Sequence, residues 1–301
     1  MRDYSLDASL SLQRNKNSLK QSAHWIIVLR TDCQVAGYKK KKYCLKLFSS
    51  LRIMLRKYRI ESLTAATIPG ALSVKAFCKD ETVCVGTEVN IDKKASEELL
   101  ELSADAALDG VSVVAVEIST GKVVAACFNK IQVLSTDSSE KPFFDVFAKE
   151  RCTQTSSKAL VEFMADLDGR CNVFEKYGAD CSLELMFLAT LREHRRRKLA
   201  FLLCKVSLDI GRKLKEGPVS TITVEDLGPK YSYMKPRNVT TKIPTICQAL
   251  CTSIGTQRIG KALGFTVHLR VSFTEFLYNG KTYVERVGFD PFCEAIARPL
   301  D

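Results

Sequence analysis

Five basic residues crowd one short stretch of this chain: Arg192, Arg195, Arg196, Arg197 and Lys198. Before them, Cys181 to Ala189 is an apolar run that reads as a strand. After them, Leu199 to Lys215 reads as a helix, with Leu199, Leu202, Leu203, Val206 and Ile210 on one face. The first N–H groups of a helix lack internal partners and attract anions. Positive side chains at that end oppose the helix dipole, and a bound anion offsets the cost. A phosphate-bearing ligand is the natural candidate. An exposed basic loop is the plain alternative.

Glu184 is the acid of the preceding strand, flanked by Leu183 and Leu185. Facing inward, it is a base candidate whose protonated form burial favours; strand alternation leaves an outward position equally open. A second unit, Ala249 to Phe265, runs strand, hydroxyl-rich turn, short helix, then Leu263-Gly264-Phe265. His194 reads as a loop residue and His268 as a structural strand residue. The twelve cysteines include no Cys-x-x-Cys pair, and the closest, Cys247 and Cys251, have no histidine nearby. No metal is expected. Cysteines inside apolar runs, such as Cys127 and Cys181, read as buried thiols of a reducing compartment, which makes the cytoplasm the expected location.

These residues need a scaffold, and the periodicity supplies one. Tyr58 to Leu63 reads as a strand, Ile68 to Lys79 as a helix started by Pro69, and Asp92 to Leu108 as a helix. Val111 to Ile118 and Val123 to Phe128 form an antiparallel hairpin about Ser119-Thr120-Gly121-Lys122. A helix over Ser156 to Tyr177 is expected to break at Asp168-Gly169. Ile246 to Leu250 is a strand, Thr256 to Leu263 a helix capped by Gly264. Thr266 to Phe273 and Lys281 to Arg286 are strands about the Asn279-Gly280 turn. The fold class is α/β of the α+β kind, a single domain whose mixed, twisted central sheet is flanked by helices.

The net charge of +11 suggests nucleic acid until it is located. Residues 1–57 hold 13 basic and 3 acidic residues; the other 244 hold 32 and 31. The excess belongs to a basic N-terminal extension, 1–57, expected to be poorly ordered apart from a basic amphipathic helix over Leu45 to Lys57. The domain is expected over 58–301. A basic arm suits anionic lipid or nucleic acid, but the neutral body argues for neither as partner. No apolar run approaches the roughly 20 residues of a membrane helix, so no stable membrane insertion is expected. Asp3 and Asp7 argue against a signal peptide.

From about Tyr58 onward the chain resembles the GNAT acetyltransferase superfamily, and within it the insect arylalkylamine (dopamine-type) N-acetyltransferases. The resemblance rests on Phe77-Cys78-Lys79-Asp80-Glu81, the hairpin at 111–128, the Arg195 turn, Ala249 to Phe265 and the terminal hairpin. It implies that acetyl-CoA, the co-substrate, binds at a turn of pattern Arg/Gln-x-x-Gly-x-Gly/Ala, here Arg195-Arg196-Arg197-Lys198-Leu199-Ala200. Arg195 and Ala200 match, and Lys198 stands where the pattern has glycine. It implies a backbone N–H near Phe187 or Leu188 donating to the thioester carbonyl. It implies Glu81 as the base that deprotonates the amine, with Thr82 in place of the usual proline. Thr252 and Thr256 match two serines four residues apart, placed to orient the amine or to protonate the leaving thiolate. The tyrosine that some relatives use as acid is matched by Gly260.

The activity so implied is acetyl transfer to the primary amine of an arylalkylamine, of the dopamine, serotonin, tyramine and octopamine class, by a monomer whose partner is a small amine. Acylation of another small amine and a non-catalytic acyl-CoA-binding relative are the alternatives.

Overall fold

The computed structural model describes residues 10–14, 25–29, 56–74, 76–135, 141–237, 242–288 and 292–300. Its strands are β1 (Leu10–Arg14), β2 (Trp25–Leu29), β3 (Tyr58–Ser62), β4 (Val113–Glu117), β5 (Val123–Val133), β6 (Cys181–Thr190), β7 (Ile246–Cys251), β8 (Thr266–Ser272), β9 (Leu277–Tyr278), β10 (Lys281–Thr282) and β11 (Phe292–Pro299). The main sheet has the order β1-β2-β3-β4-β5-β6-β7-β11-β8, and β9 and β10 form a separate hairpin. Every neighbouring pair is antiparallel except β6 and β7.

The helices are α1 (Ile68–Leu72), α2 (Ala76–Asp80), α3 (Thr82–Gly86), α4 (Lys93–Ala107), α5 (Phe143–Glu150), α6 (Thr155–Arg170), α7 (Val173–Tyr177), α8 (Leu199–Lys213), α9 (Ile254–Ala262) and α10 (Tyr283–Val287). One face of the sheet carries α8, whose Leu199, Leu202, Leu203, Val206 and Ile210 are all buried against Val113, Ala125 and Leu183. Burying such a leucine contributes about 1.5–3 kcal/mol. The other face carries a core built from α4 and α6, including Leu99, Leu102, Leu160, Phe163 and Leu167 with Phe187 of β6. The mixed sheet flanked by helices is the architecture expected of the sequence.

Several boundaries differ from the periodicity. The helix expected over Ile68 to Lys79 is two helices, because Ser73 caps the first and its hydroxyl donates to the Gly70 carbonyl at 2.7 Å. The 156–177 helix runs through Gly169 and stops instead at Asn172, whose side chain accepts from Glu175 N–H to start α7. The helix expected from Thr256 starts at Ile254, because Ser253 is its N-cap. The strand expected over Lys281 to Arg286 is only β10; Thr282 and Glu285 form a capping box that opens α10. Asn279 and Gly280 both have positive φ, as the Asn-Gly turn requires. Within residues 1–57, β1 and β2 pair, and β2 meets β3 at Ile26 and Glu61. The Lys39–Lys42 block and all but the last two residues of the expected 45–57 helix lie outside the described residues.

Two features open the sheet. β6 and β7 share only three rows, Ser182–Ile246, Leu183–Cys247 and Glu184–Gln248. Past Glu184 they part. At the same level β5 and β6 slip register: Asn129 faces Leu185 and Phe128 faces Phe187, leaving Met186 extra. Such a bulge bends a strand and increases its twist, turning the second half of β6 away from β7. Asn129 anchors the slip. Its Nδ2 donates to Val111 O and Ser207 Oγ, both at 2.8 Å, and its own N–H donates to Ser112 Oγ at 3.1 Å.

Candidate active site

A cavity of about 840 Å³ fills the gap between β6 and β7. Its walls include Leu185 to Thr190 on one side and Ala249 to Ser253 on the other, with Glu81, Phe163 and Arg195 at its margins. The β7-facing edge of β6 beyond Glu184 has no strand partner among the described residues, so backbone groups there are free for a ligand. Phe187 is buried and Leu188 half-buried on this stretch.

Glu81 joins α2 to α3. As N-cap of α3 its Oε2 accepts from Cys84 N–H at 2.7 Å. Its Oε1 accepts from Thr252 Oγ1 at 2.5 Å. Chain segments far apart in sequence thus bring two of the three expected catalytic residues into contact at the cavity. Phe77, one turn before Glu81, meets Phe187 edge-on with ring centroids 4.7 Å apart. Thr256 also lines the cavity, but its hydroxyl is engaged in the α9 capping box: it donates to Ser253 O at 2.9 Å and accepts from Ser253 N–H at 3.2 Å. At Gly260 an added Cβ would lie 2.5 Å from Ile296 Cδ1, which explains why no larger side chain stands there.

The basic turn meets the cavity beside the Asp80–Glu81 segment. Arg195 Nη2 pairs with Asp80 at 2.7 Å, and its Nε donates to Thr190 O at 3.1 Å. Arg192 reaches the same Asp80 at 3.4 Å. Asp80 immediately precedes Glu81, so the turn and the acid are tied through adjacent residues. Arg197 donates to Glu193 O at 3.3 Å. Arg196, Arg197 and Lys198 are exposed, Leu199 is buried, and Ala200 lines the cavity. Arg196 and Lys198 are left-handed, with φ of 59° and 60°. This costs a non-glycine residue roughly 1–2 kcal/mol, and at Lys198 it falls where the acetyltransferase pattern has glycine. Alternating backbone hand turns successive N–H groups toward one side, as in anion-binding concavities. Thr190 Oγ1, buried in the same wall, has no hydrogen-bond partner among the described residues.

Glu184 faces inward and is 2% exposed, at the floor of the cavity where the strands begin to part. Its Oε2 accepts from Gln132 Nε2 at 2.7 Å. Burial pushes its carboxyl up; the Gln132 bond and Lys130 oppose that. Asp168 on α6 is pushed well up by burial and by Glu184. No local pattern marks this acid pair, because Asp168-Gly169 reads as a helix break. The histidines are structural: His194 Nδ1 lies 2.9 Å from Tyr58 OH, and His268 Nε2 2.9 Å from Tyr177 OH. Burial and Lys176 push His268 down. Among the described residues no cluster of histidine, cysteine or acid could hold a metal, and no helix is long and apolar enough to cross a membrane.

Comparison with protein-family models and with curated proteins finds no match. Solved structures do match. Arylalkylamine N-acetyltransferase 2 from Aedes aegypti is 16% identical with a TM-score of 0.61, covering 81% of this chain and 99% of that one. A putative arylalkylamine N-acetyltransferase 7 from the yellow fever mosquito is 16% identical with a TM-score of 0.59, covering 81% and 88%. A Drosophila melanogaster polyamine N-acetyltransferase, which forms N-acetylagmatine, is 14% identical with a TM-score of 0.58, covering 80% and 99%. At this identity the likeness is one of fold, and this chain has the GNAT fold of these acetyltransferases.

Proposed function

We propose that the chain transfers acetyl from acetyl-CoA to the primary amine of an arylalkylamine, of the dopamine, serotonin, tyramine and octopamine class. The observation that carries this reading is the Glu81–Thr252 hydrogen bond at a cleft between parted strands, with a basic turn tied to the adjacent Asp80. The turn fits a phosphate-bearing co-substrate: it presents Arg195, left-handed backbone at Arg196 and Lys198, and the orphaned Thr190 hydroxyl beside them. Acetyl-CoA supplies a thioester, whose carbonyl takes the new C–N bond and whose sulfur leaves as thiolate.

The chain's own groups do the rest. Glu81 takes the amine proton, directly or through water, and Thr252 fixes which way its carboxylate points. N–H groups on the open edge of β6, near Phe187 or Leu188, donate to the carbonyl oxygen as charge builds there. Thr252 and Thr256 are the hydroxyls near enough to the cleft to return a proton to sulfur. Arg195, Arg196, Arg197, Lys198, Leu199 and Ala200 form the pyrophosphate turn. The ten described cysteines are all free thiols, which supports a reducing, cytoplasmic setting, and a monomer is the form we propose.

Calorimetric titration with acetyl-CoA, followed by turnover with a panel of amines, tests the reading. Binding with acetylation of arylalkylamines is expected; binding without turnover of any amine removes it. Lys198 favours a second reading, a non-catalytic acyl-CoA-binding relative, because a left-handed lysine replaces the glycine of the turn.

A further inference from the structure

Glu184 has no part in the mechanism above, yet it is the acid at the floor of the cavity. It sits opposite Gln248 in the last row that β6 and β7 share. Thr252, bonded to Glu81, follows four residues later. At about 3.3 Å per strand residue, Gln248 opposite Glu184 and Thr252 beside Glu81 are roughly 13 Å apart along the cleft. Leu183 and Leu185 pack toward α8, so Glu184, between them, faces the other side, where Phe187 packs with Phe77. Leu160, Phe163 and Met164 of α6 line the cavity on that side. The space between the acids is therefore walled by apolar and aromatic groups. Oε2 of Glu184 is held by Gln132, while Oε1 has no hydrogen-bond partner among the described residues.

We propose that Glu184 is a specificity residue: its Oε1 receives a hydroxyl on the far end of the amine substrate's ring, selecting hydroxylated arylalkylamines over unsubstituted ones. This rests on the acyl-transfer reading of the same cavity. With a hydrogen bond of about 2.7–3 Å at each end, an aryl ring carrying a two-carbon amine arm bridges the acids, amine to Glu81 and hydroxyl to Glu184. The distal group is neutral rather than cationic because burial favours the protonated forms of Glu184 and of Asp168, the acid that feels its charge, while Lys130, cross-strand from Glu184 and bonded to Asp105, adds positive charge nearby; a carboxyl in that form both donates to and accepts from a phenol without burying charge. A site built around such a bond leaves a buried polar group unpaired when the hydroxyl is missing, and so rejects the shorter partner.

The test uses the full chain, acetyl-CoA and two amines that differ by one hydroxyl, phenethylamine and tyramine, with agmatine as the cationic comparison. The wild type should favour tyramine in kcat/KM by about tenfold, the size of one well-placed hydrogen bond. Glu184→Leu should bring the ratio close to one, chiefly through KM for tyramine. Glu184→Gln, which keeps the shape and part of the bonding, should retain an intermediate preference and serves if the leucine variant does not fold. Equal losses for both amines in the variants would overturn the proposal and make Glu184 part of the chemistry. A preference for agmatine that disappears in Glu184→Gln would overturn it in favour of a distal cation. Failure of the wild type to acetylate any of the three, with acetyl-CoA bound, would remove the acyl-transfer reading itself and this role with it.

Discussion

Thr252 donates a hydrogen bond of 2.5 Å to Glu81, across 171 residues of sequence. The same carboxylate accepts from Cys84 N–H, so one oxygen is fixed by the backbone of α3 and the other by the strand end. A base held at both oxygens has a single orientation toward the cleft. Glu81→Gln should lower kcat by about 10²–10⁴ at neutral pH, leaving acetyl-CoA affinity unchanged. Thr252→Val should lower kcat less, because it frees the carboxylate rather than removing it. Steady-state rates over pH decide this, and wild-type turnover in Glu81→Gln rules the assignment out.

Arg195 and Lys198 should act on acetyl-CoA in opposite senses. Arg195→Ala and Arg197→Ala should weaken binding and flatten its salt dependence, since each removes a charge that salt screens. Lys198→Gly should tighten it, because glycine adopts the left-handed backbone without the penalty that lysine bears. Its stability should stay within about 1 kcal/mol of wild type, strain relief being offset by a more flexible unfolded chain. Calorimetry at two salt concentrations measures all three variants, and weaker binding by Lys198→Gly identifies the ammonium as a phosphate ligand instead.

Asn129 anchors the register slip that turns β6. Asn129→Leu leaves the Val111 carbonyl without this donor in the core, and takes from Ser207 Oγ the bond it accepts while its own bond to Leu203 O remains. Unsatisfied buried groups cost about 1–3 kcal/mol each, so chemical denaturation should show a loss of that order or more, together with weaker acetyl-CoA binding. A loss of stability with cofactor affinity intact would separate the bulge from the site.

Glu184 and Asp168 give stability a pH dependence of known sign. Both are pushed above their ordinary values of 4.5 and 3.8 by burial, and Asp168 further by Glu184. The folded state then binds more protons than the unfolded one once pH exceeds those values, and stability falls as pH rises through the folded values. Glu184→Gln should therefore raise Tm at pH 7, with a gain that shrinks toward pH 4, where the unfolded carboxyl is protonated too. Thermal melts from pH 4 to 8 measure this; a variant that is less stable at pH 7 and unchanged at pH 4 reverses the sign.

We propose a domain boundary between Lys57 and Tyr58. β2 meets β3 at a single residue pair, whereas β3 pairs with β4 along five. Removal of residues 1–57 should leave a soluble chain that unfolds cooperatively. Loss of the cooperative transition would place the arm within the domain.

The β-branched run of Val111 to Ile118 beside its turn makes the sheet centre readable, because both its faces are buried, and the one-sided apolar face of 199–215 makes α8 readable, because its burial is periodic. Glu81 and Thr252 were nameable only through family likeness: nothing local marks either as the partner of the other, since their contact depends on how β7 ends beside α3. The final strand β11, inserted between β7 and β8, went unread because its sequence, Phe-Cys-Glu-Ala-Ile-Ala-Arg-Pro, lacks strict alternation. Asp168 escaped notice for a related reason. Its significance comes from Glu184 across a helix–sheet contact that no spacing encodes.

Three shared rows join β6 to β7, and past them the sheet has a missing rung on each side of an open seam. At the seam itself β7 is tied to its neighbours by that short join, by the Gln248–Ser182 bond at 3.1 Å and by the Glu81–Thr252 contact. A molecule that lies in the seam and bonds to both strand edges stands in for a strand. Its binding energy is then also folding energy. The facing edges of β6 and β7 past Glu184 should accordingly exchange their amide hydrogens faster than the paired centre of the sheet in the ligand-free protein, and gain the most protection when the seam is filled.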